Sequence, residues 1–174
     1  MLARRQPVTL QWIRSTPTRS LALILLLNLA IDIGWIWTNP PDLDSGETAN
    51  WWPIATNLIH GQGYSLCVPR YFPFCGPTNQ VTASREPVPV ILFAIVAWLT
   101  NESFLAAALV EIAIDLATSL GVFFLARRLA GGRTALLAAL GWTLYLPARQ
   151  LLPQVSGDLP AALCVTCIER KRCA

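Results

Sequence analysis

Apolar residues run along this chain in blocks, and the blocks are separated by short polar intervals. The first block is Leu21–Trp37 (LALILLLNLAIDIGWIW). Its seventeen residues would make a helix of roughly 25 Å, enough to span a bilayer with interfacial help. Before it, residues 1–20 carry Arg4, Arg5, Arg14 and Arg19 and no acid. That basic flank predicts a cytoplasmic N-terminus, and Trp35 and Trp37 suit an aromatic belt at the far side. Asn39-Pro40-Pro41 follows the block where a signal peptide would show a small-residue cleavage site, so an uncleaved anchor is the preferred reading.

Residues 38–87 form a long polar stretch, expected on the outer side. Within it Trp51, Ile54, Ala55, Leu58 and Ile59 recur at helical spacing beside Trp52. They predict a short helix lying on the membrane surface, ended by Gly61 and Gly63. The chain turns apolar again over residues 88–168. Val88–Leu99 is short, Phe104–Ala126 is a full-length span, and Thr134–Pro147 follows Arg127, Arg128 and Arg133. Leu151–Ile168 is broken by Pro153, Gly157, Asp158 and Pro160. If both Val88–Leu99 and Phe104–Ala126 cross, the arginine cluster lies outside. The positive-inside tendency prefers it inside, which would make the short segment re-entrant or interfacial. The expected fold is all-α: a polytopic transmembrane helical bundle of about 3–5 membrane helices, with short interfacial helices in one outer loop. The expected location is the plasma membrane, multi-pass.

Composition sharpens this picture. Of 174 residues 54% are hydrophobic and 13% charged, against about 25% charged in ordinary soluble domains. Residues 20–41 hold a single charge, Asp32, and residues 103–126 hold two, Glu111 and Asp115. Twelve of the thirteen basic residues are arginine, with no basic stripe interleaved with aromatics, so nucleic acid is not an expected partner. No metal and no cofactor is expected. His60 is the only histidine, and the Cys164–Cys167 pair, with Cys173 beyond it, lacks a fourth zinc ligand nearby.

Several groups are chemically suggestive. Asp42, Asp44 and Glu47 follow the first helix, where a membrane-borne substrate would present its head group. A carboxylate there could be a general base for an acceptor hydroxyl, or simply start a solvated loop, Asp44 capping a turn. Arg85, in Arg85-Glu86-Pro87, could bind a phosphate with Glu86 orienting it. The plain alternative is an interfacial ion pair before a helix opening at Pro87. Glu111 and Asp115 stand at i and i+4, with Thr118 and Ser119 on the same face. They would form a polar seam between helices or a proton path. Asp32, four residues after Asn28, has the same two readings. Cys67 and Cys75 are candidates for a disulfide outside the cytoplasm.

The order of Ile54-Ala55-Thr56-Asn57-Leu58-Ile59-His60-Gly61-Gln62-Gly63-Tyr64-Ser65, then Thr82-Ala83-Ser84-Arg85-Glu86-Pro87, resembles the N-terminal part of bacterial C-fold membrane glycosyltransferases, relatives of protein mannosyltransferases and the lipid A aminoarabinose transferase. Ala126–Arg133 and Leu144-Tyr145-Leu146-Pro147 are similar too, so the resemblance covers roughly residues 20–163. It implies a polyprenyl-phosphate-linked sugar donor, a lipid, glycan or protein acceptor, and inverting transfer at the outer membrane face. It also implies a base in the first outer loop. Asp44 matches that role best, with Asp42 and Glu47 as rivals; the family's spacing falls on Glu47, three residues after Asp44. Arg85 and Glu86 fall on its loop-end motif, with a donor-phosphate or loop-ordering role. Such enzymes carry many more membrane helices. The basic, Cys-rich stretch Cys164–Ala174, with residues 169–174 as a basic tail, therefore reads as a truncated product, inactive alone. The alternatives are a non-catalytic assembly subunit and a transporter fragment using Glu111 and Asp115.

Overall fold

The computed structural model describes residues 17–40, 48–65, 85–154 and 156–172. Asp42, Asp44, Glu47, Cys67, Cys75 and Cys173 lie outside these residues. Among the described residues the regular elements are helices: α1 (Pro17–Thr38), α2 (Thr48–Ile59), α3 (Pro87–Thr100), α4 (Phe104–Ala130), α5 (Gly132–Thr143), α6 (Leu146–Leu151) and α7 (Asp158–Arg172).

Two of them, α1 and α4, are long and apolar enough to cross a membrane. Their burial pattern is inverted relative to a water-soluble bundle. The two buried residues of α1 are Asn28 and Asp32, while Leu23, Leu26, Ile33 and Trp37 are exposed. In α4 the buried face is built largely of small and polar side chains, Ala107, Ala108, Glu111, Asp115, Thr118 and Ser119, with Leu105, Leu109 and Leu129 outside. Water would drive the leucines inward; a hydrocarbon solvent lets them face out and sends the polar groups to the interior.

The packing fixes directions. Leu21 and Ile24 from the start of α1 pack against Phe123 and Ala126 near the end of α4 and against Ala135 and Ala139 of α5. Leu29 and Ile36, further along α1, meet Ile112, Ala148, Leu152 and Leu159. Thus α1 and α4 are antiparallel, and α5 returns alongside them. Helix α7 runs parallel to α4: Ser156, just before it, bonds Glu111, and Thr166 meets Gly121. That last approach is close. A Cβ at Gly121 would lie 2.7 Å from the Thr166 hydroxyl oxygen, so glycine lets the two helices touch.

One end of the bundle is therefore basic. Arg19 opens α1, Arg127 and Arg128 end α4, and Arg133 opens α5. Helix α7 runs towards the same end. The opposite end is capped by a layer of α2 and α3. Trp51, Trp52, Ile54 and Ala55 of α2 interlock with Val90, Phe93, Ala94 and Ala97 of α3 over Ala107 of α4. Trp52 meets Phe104 edge-on at 5.3 Å, a geometry favoured by the ring quadrupoles. Helix α3 thus packs in the cap with α2, and this cluster reaches Phe104, Ala107 and Val110 in the first turns of α4. A tight turn with Asn101 and Glu102 both left-handed (φ 53° and 62°) joins the two.

Three expectations change. The apolar face of α2 is spent on α3, with Ile54 and Ala55 fully buried, rather than lying bare on a membrane; α3 supplies an adjacent apolar surface that α2 alone does not reveal. The Thr134–Pro147 block is two helices, α5 and α6, broken at Leu144-Tyr145. Pro147 has no N–H with which to continue α5, and its ring suits the first turn of a new helix. And α1 begins at Pro17, where proline again suits a first turn.

Candidate functional site

The cap and the bundle meet in a pocket of about 390 Å³. Trp51 of α2, Arg85 and Glu86 before α3, and Val88 and Pro89 in its first turn form one wall. The start of α7 forms the other, through Gly157, Asp158, Pro160, Ala161 and Cys164. Pro87 sets α3 off at this point because its missing N–H falls where helices leave donors unpaired. The Arg85 guanidinium stands over the Trp51 ring, 5.6 Å from its centre, a cation–π placement that holds a fork of N–H donors at the pocket. The Tyr64 hydroxyl donates to the Arg85 carbonyl oxygen at 2.9 Å. This ties the Gly61–Tyr64 turn, with both glycines left-handed, to the Arg85-Glu86-Pro87 motif. Burial raises the Tyr64 phenol above its ordinary pKa; Glu86 adds to the rise and Arg85 opposes it. Across the pocket Trp51 lies on Gly157: a Cβ there would stand 2.9 Å from the indole.

The lining combines charged Arg85, Glu86 and Asp158 with apolar Trp51, Val88, Pro89, Pro160 and Ala161. That combination suits an amphiphile with an anionic or hydroxyl-bearing head.

A second constellation sits inside the bundle. Arg149 of α6 bonds Asp32 and Asp115 through one nitrogen, the latter at 2.8 Å, and the Asn28 side-chain oxygen through the other at 2.8 Å. Asn28 donates to Asp115 at 2.7 Å and Trp142 Nε1 donates to the other Asp115 oxygen at 3.0 Å. Arg149, Asp32, Asp115 and Asn28 are all buried. Glu111 stands one turn away and accepts the Ser156 backbone N–H at 3.1 Å.

Of the residues singled out from sequence, Arg85 and Glu86 meet at the pocket, and Asp32 and Asp115 meet in the bundle. Glu111 lies on the same buried face of α4 but bonds elsewhere. Asp42, Asp44, Glu47, Cys67 and Cys75 are not among the described residues. Two participants escape the sequence reading, which takes Asp158 only as a helix breaker and passes over Arg149. A signal for Arg149 is present: one arginine between two apolar blocks in a chain with unpaired acids in other spans. No protein-family model matches this chain, and neither a curated protein nor a solved structure does.

Proposed function

We propose that this chain is the N-terminal part of an integral membrane glycosyltransferase that moves a sugar from a polyprenyl-phosphate carrier to an acceptor hydroxyl at the outer membrane face. The observation that carries the reading is the pocket. Its two resemblance motifs, Ala55–Tyr64 and Arg85-Glu86-Pro87, are bonded to one another at its rim, and it pairs an arginine fork with an apolar wall. A lipid phosphate needs that combination: bidentate N–H donors for the head and a dry flank for the chain.

The end-to-end charge distribution supports the orientation. Arg19, Arg127, Arg128 and Arg133 gather at one end, which the positive-inside tendency assigns to the cytoplasm. The pocket, with Glu86 and Asp158, is at the other end. In this reading α1, α4 and the returning α5–α6–α7 segment form a multi-pass bundle, and α2 and α3 lie in its outer interface. Arg85 stabilises the charge that develops on the departing phosphate. The base follows from the resemblance: Asp44 first, with Asp42 and Glu47 as rivals, takes the acceptor proton as the hydroxyl oxygen attacks the anomeric carbon.

Binding of a fluorescent polyprenyl-phosphate hexose to the chain in nanodiscs tests the reading. Arg85→Ala removes a charge-assisted contact of roughly 1.5–3 kcal/mol, so affinity should fall by about tenfold or more. Binding by the wild type that Arg85→Ala and Trp51→Ala leave unchanged would remove the pocket from the account.

A further inference from the structure

We propose that Arg149 is a positioning residue for the pocket: by clamping α6 to α1 and α4 in mid-bundle it sets the height of the wall that α7 contributes. The inference rests on the pocket reading above, but its observations are independent of any ligand.

The chain from clamp to pocket is short. Arg149 is held by Asp32 and Asn28 of α1 and by Asp115 of α4, and it reaches the Trp142 backbone carbonyl at 3.3 Å. Seven residues later the Ser156 N–H is pinned to Glu111, one turn along α4 from Asp115. The next two residues, Gly157 and Asp158, are pocket lining. Between the two anchors Leu152 packs with Ile112 and Ala148, fully covered. The α6–α7 connection is thus fastened at both ends to consecutive turns of one face of α4. From there Gly157 is delivered against Trp51, opposite Arg85, with no room for a Cβ between them.

The chemistry of the clamp calls for arginine. Two carboxylates and an amide oxygen on two different helices are engaged by one planar group, whose fork fixes direction as well as charge. A lysine at 149 keeps a positive charge beside Asp32 and Asp115 but is a point donor on a flexible stem. If the cluster serves only to neutralise buried acids, lysine suffices. If it sets where α7 begins, lysine does not.

The test reads wall separation without a ligand. Val88 and the native Cys164 line opposite walls. With Val88→Cys introduced, the two positions are joined by a short bismaleimide in native membranes. The linked peptide is quantified by mass spectrometry, with the unsubstituted chain as blank. Arg149→Lys should insert with wild-type helix content yet lower the yield of this cross-link by at least fivefold. Asp32→Asn removes one carboxylate and leaves Arg149 a one-to-one pair with Asp115, so no buried charge is stranded, and should lower the yield to an intermediate level. Wild-type cross-linking in both variants overturns the proposal. Should the lysine variant fail to insert, the asparagine variant decides alone. Farnesyl phosphate binding, measured in parallel, separates the two claims. No binding by the wild type, with the cross-link still clamp-dependent, defeats the pocket's ligand and leaves the positioning role standing.

Discussion

Single side chains carry the site, and three of them make sharp expectations. Gly157 is glycine because the Trp51 indole occupies the space a Cβ would need. Gly157→Ala should displace the indole and, through the Arg85 stack, weaken the lipid-phosphate binding proposed above, while helix content by circular dichroism stays the same. Trp142 donates to Asp115 inside the bundle. In water a bond to a charged group is worth roughly 1.5–3 kcal/mol, but in membranes measured values average about 0.6 kcal/mol because the unfolded reference also finds partners. In the proposed membrane setting the second figure governs, so Trp142→Phe should cost under about 2 kcal/mol in a denaturant titration. A larger loss would mean that Asp115 Oδ1 needs its indole donor even with Oδ2 still held by Arg149 and Asn28. Tyr64 gives a pH dependence. Its folded phenol titrates above the ordinary value of 10.0, so folding favours the protonated form. The stability it contributes is complete below about pH 10 and is lost as pH rises through the folded value; Tyr64→Phe should flatten that alkaline limb of a melting-temperature profile. At this scale the sequence is readable where charge stands alone in an apolar block: Asp32, Glu111 and Asp115 announce themselves. Arg149 also stands alone between two apolar blocks, but its partners lie 117 and 34 residues away, and no local period links them to it.

Helices are legible to the extent that their apolar blocks are long. The predicted span Phe104–Ala126 is observed as Phe104–Ala130, the extra turn carrying Arg127 and Arg128 beyond the apolar core. Pro87 reads as a helix start and is one. Pro147 marks where α5 must stop, but the burial of α2 against α3 is not readable, since hydropathy alone cannot say which apolar face finds a protein partner. Packing between elements makes its own prediction. Helices α4 and α7 approach through Gly121, where a Cβ would meet Thr166. Gly121→Leu should overpack this contact at a cost of about 1–3 kcal/mol and release α7 to proteases, whereas Gly34→Leu, on an open face of α1, should do neither.

The molecule as a whole is polarised. Arginines collect at one end, the two-helix cap and the pocket at the other, and many large apolar side chains, among them Leu23, Leu26, Ile33, Leu105, Leu109 and Leu129, face outward along α1 and α4. The burial pattern and the charge gradient are two separate features that the proposed membrane setting would account for. Hydrocarbon tolerates leucine outside and polar seams inside, and in the orientation proposed above the translocation bias would keep the arginines on the cytoplasmic face. The sequence leaves the placement of Val88–Leu99 open, because either of two routes satisfies its length. The packing of α3 into the cap favours the route that keeps the arginines together. The proposed function requires the pocket to face away from those arginines' compartment. The direct measurement is single-cysteine labelling in a cysteine-free background, in intact cells, with an impermeant maleimide. Glu102→Cys, in the exposed turn between α3 and α4, should react at once, and Thr134→Cys, beside the arginine cluster, only after the membrane is opened. Immediate reaction at position 134 with protection at 102 would put the pocket in the cytoplasm and contradict the account.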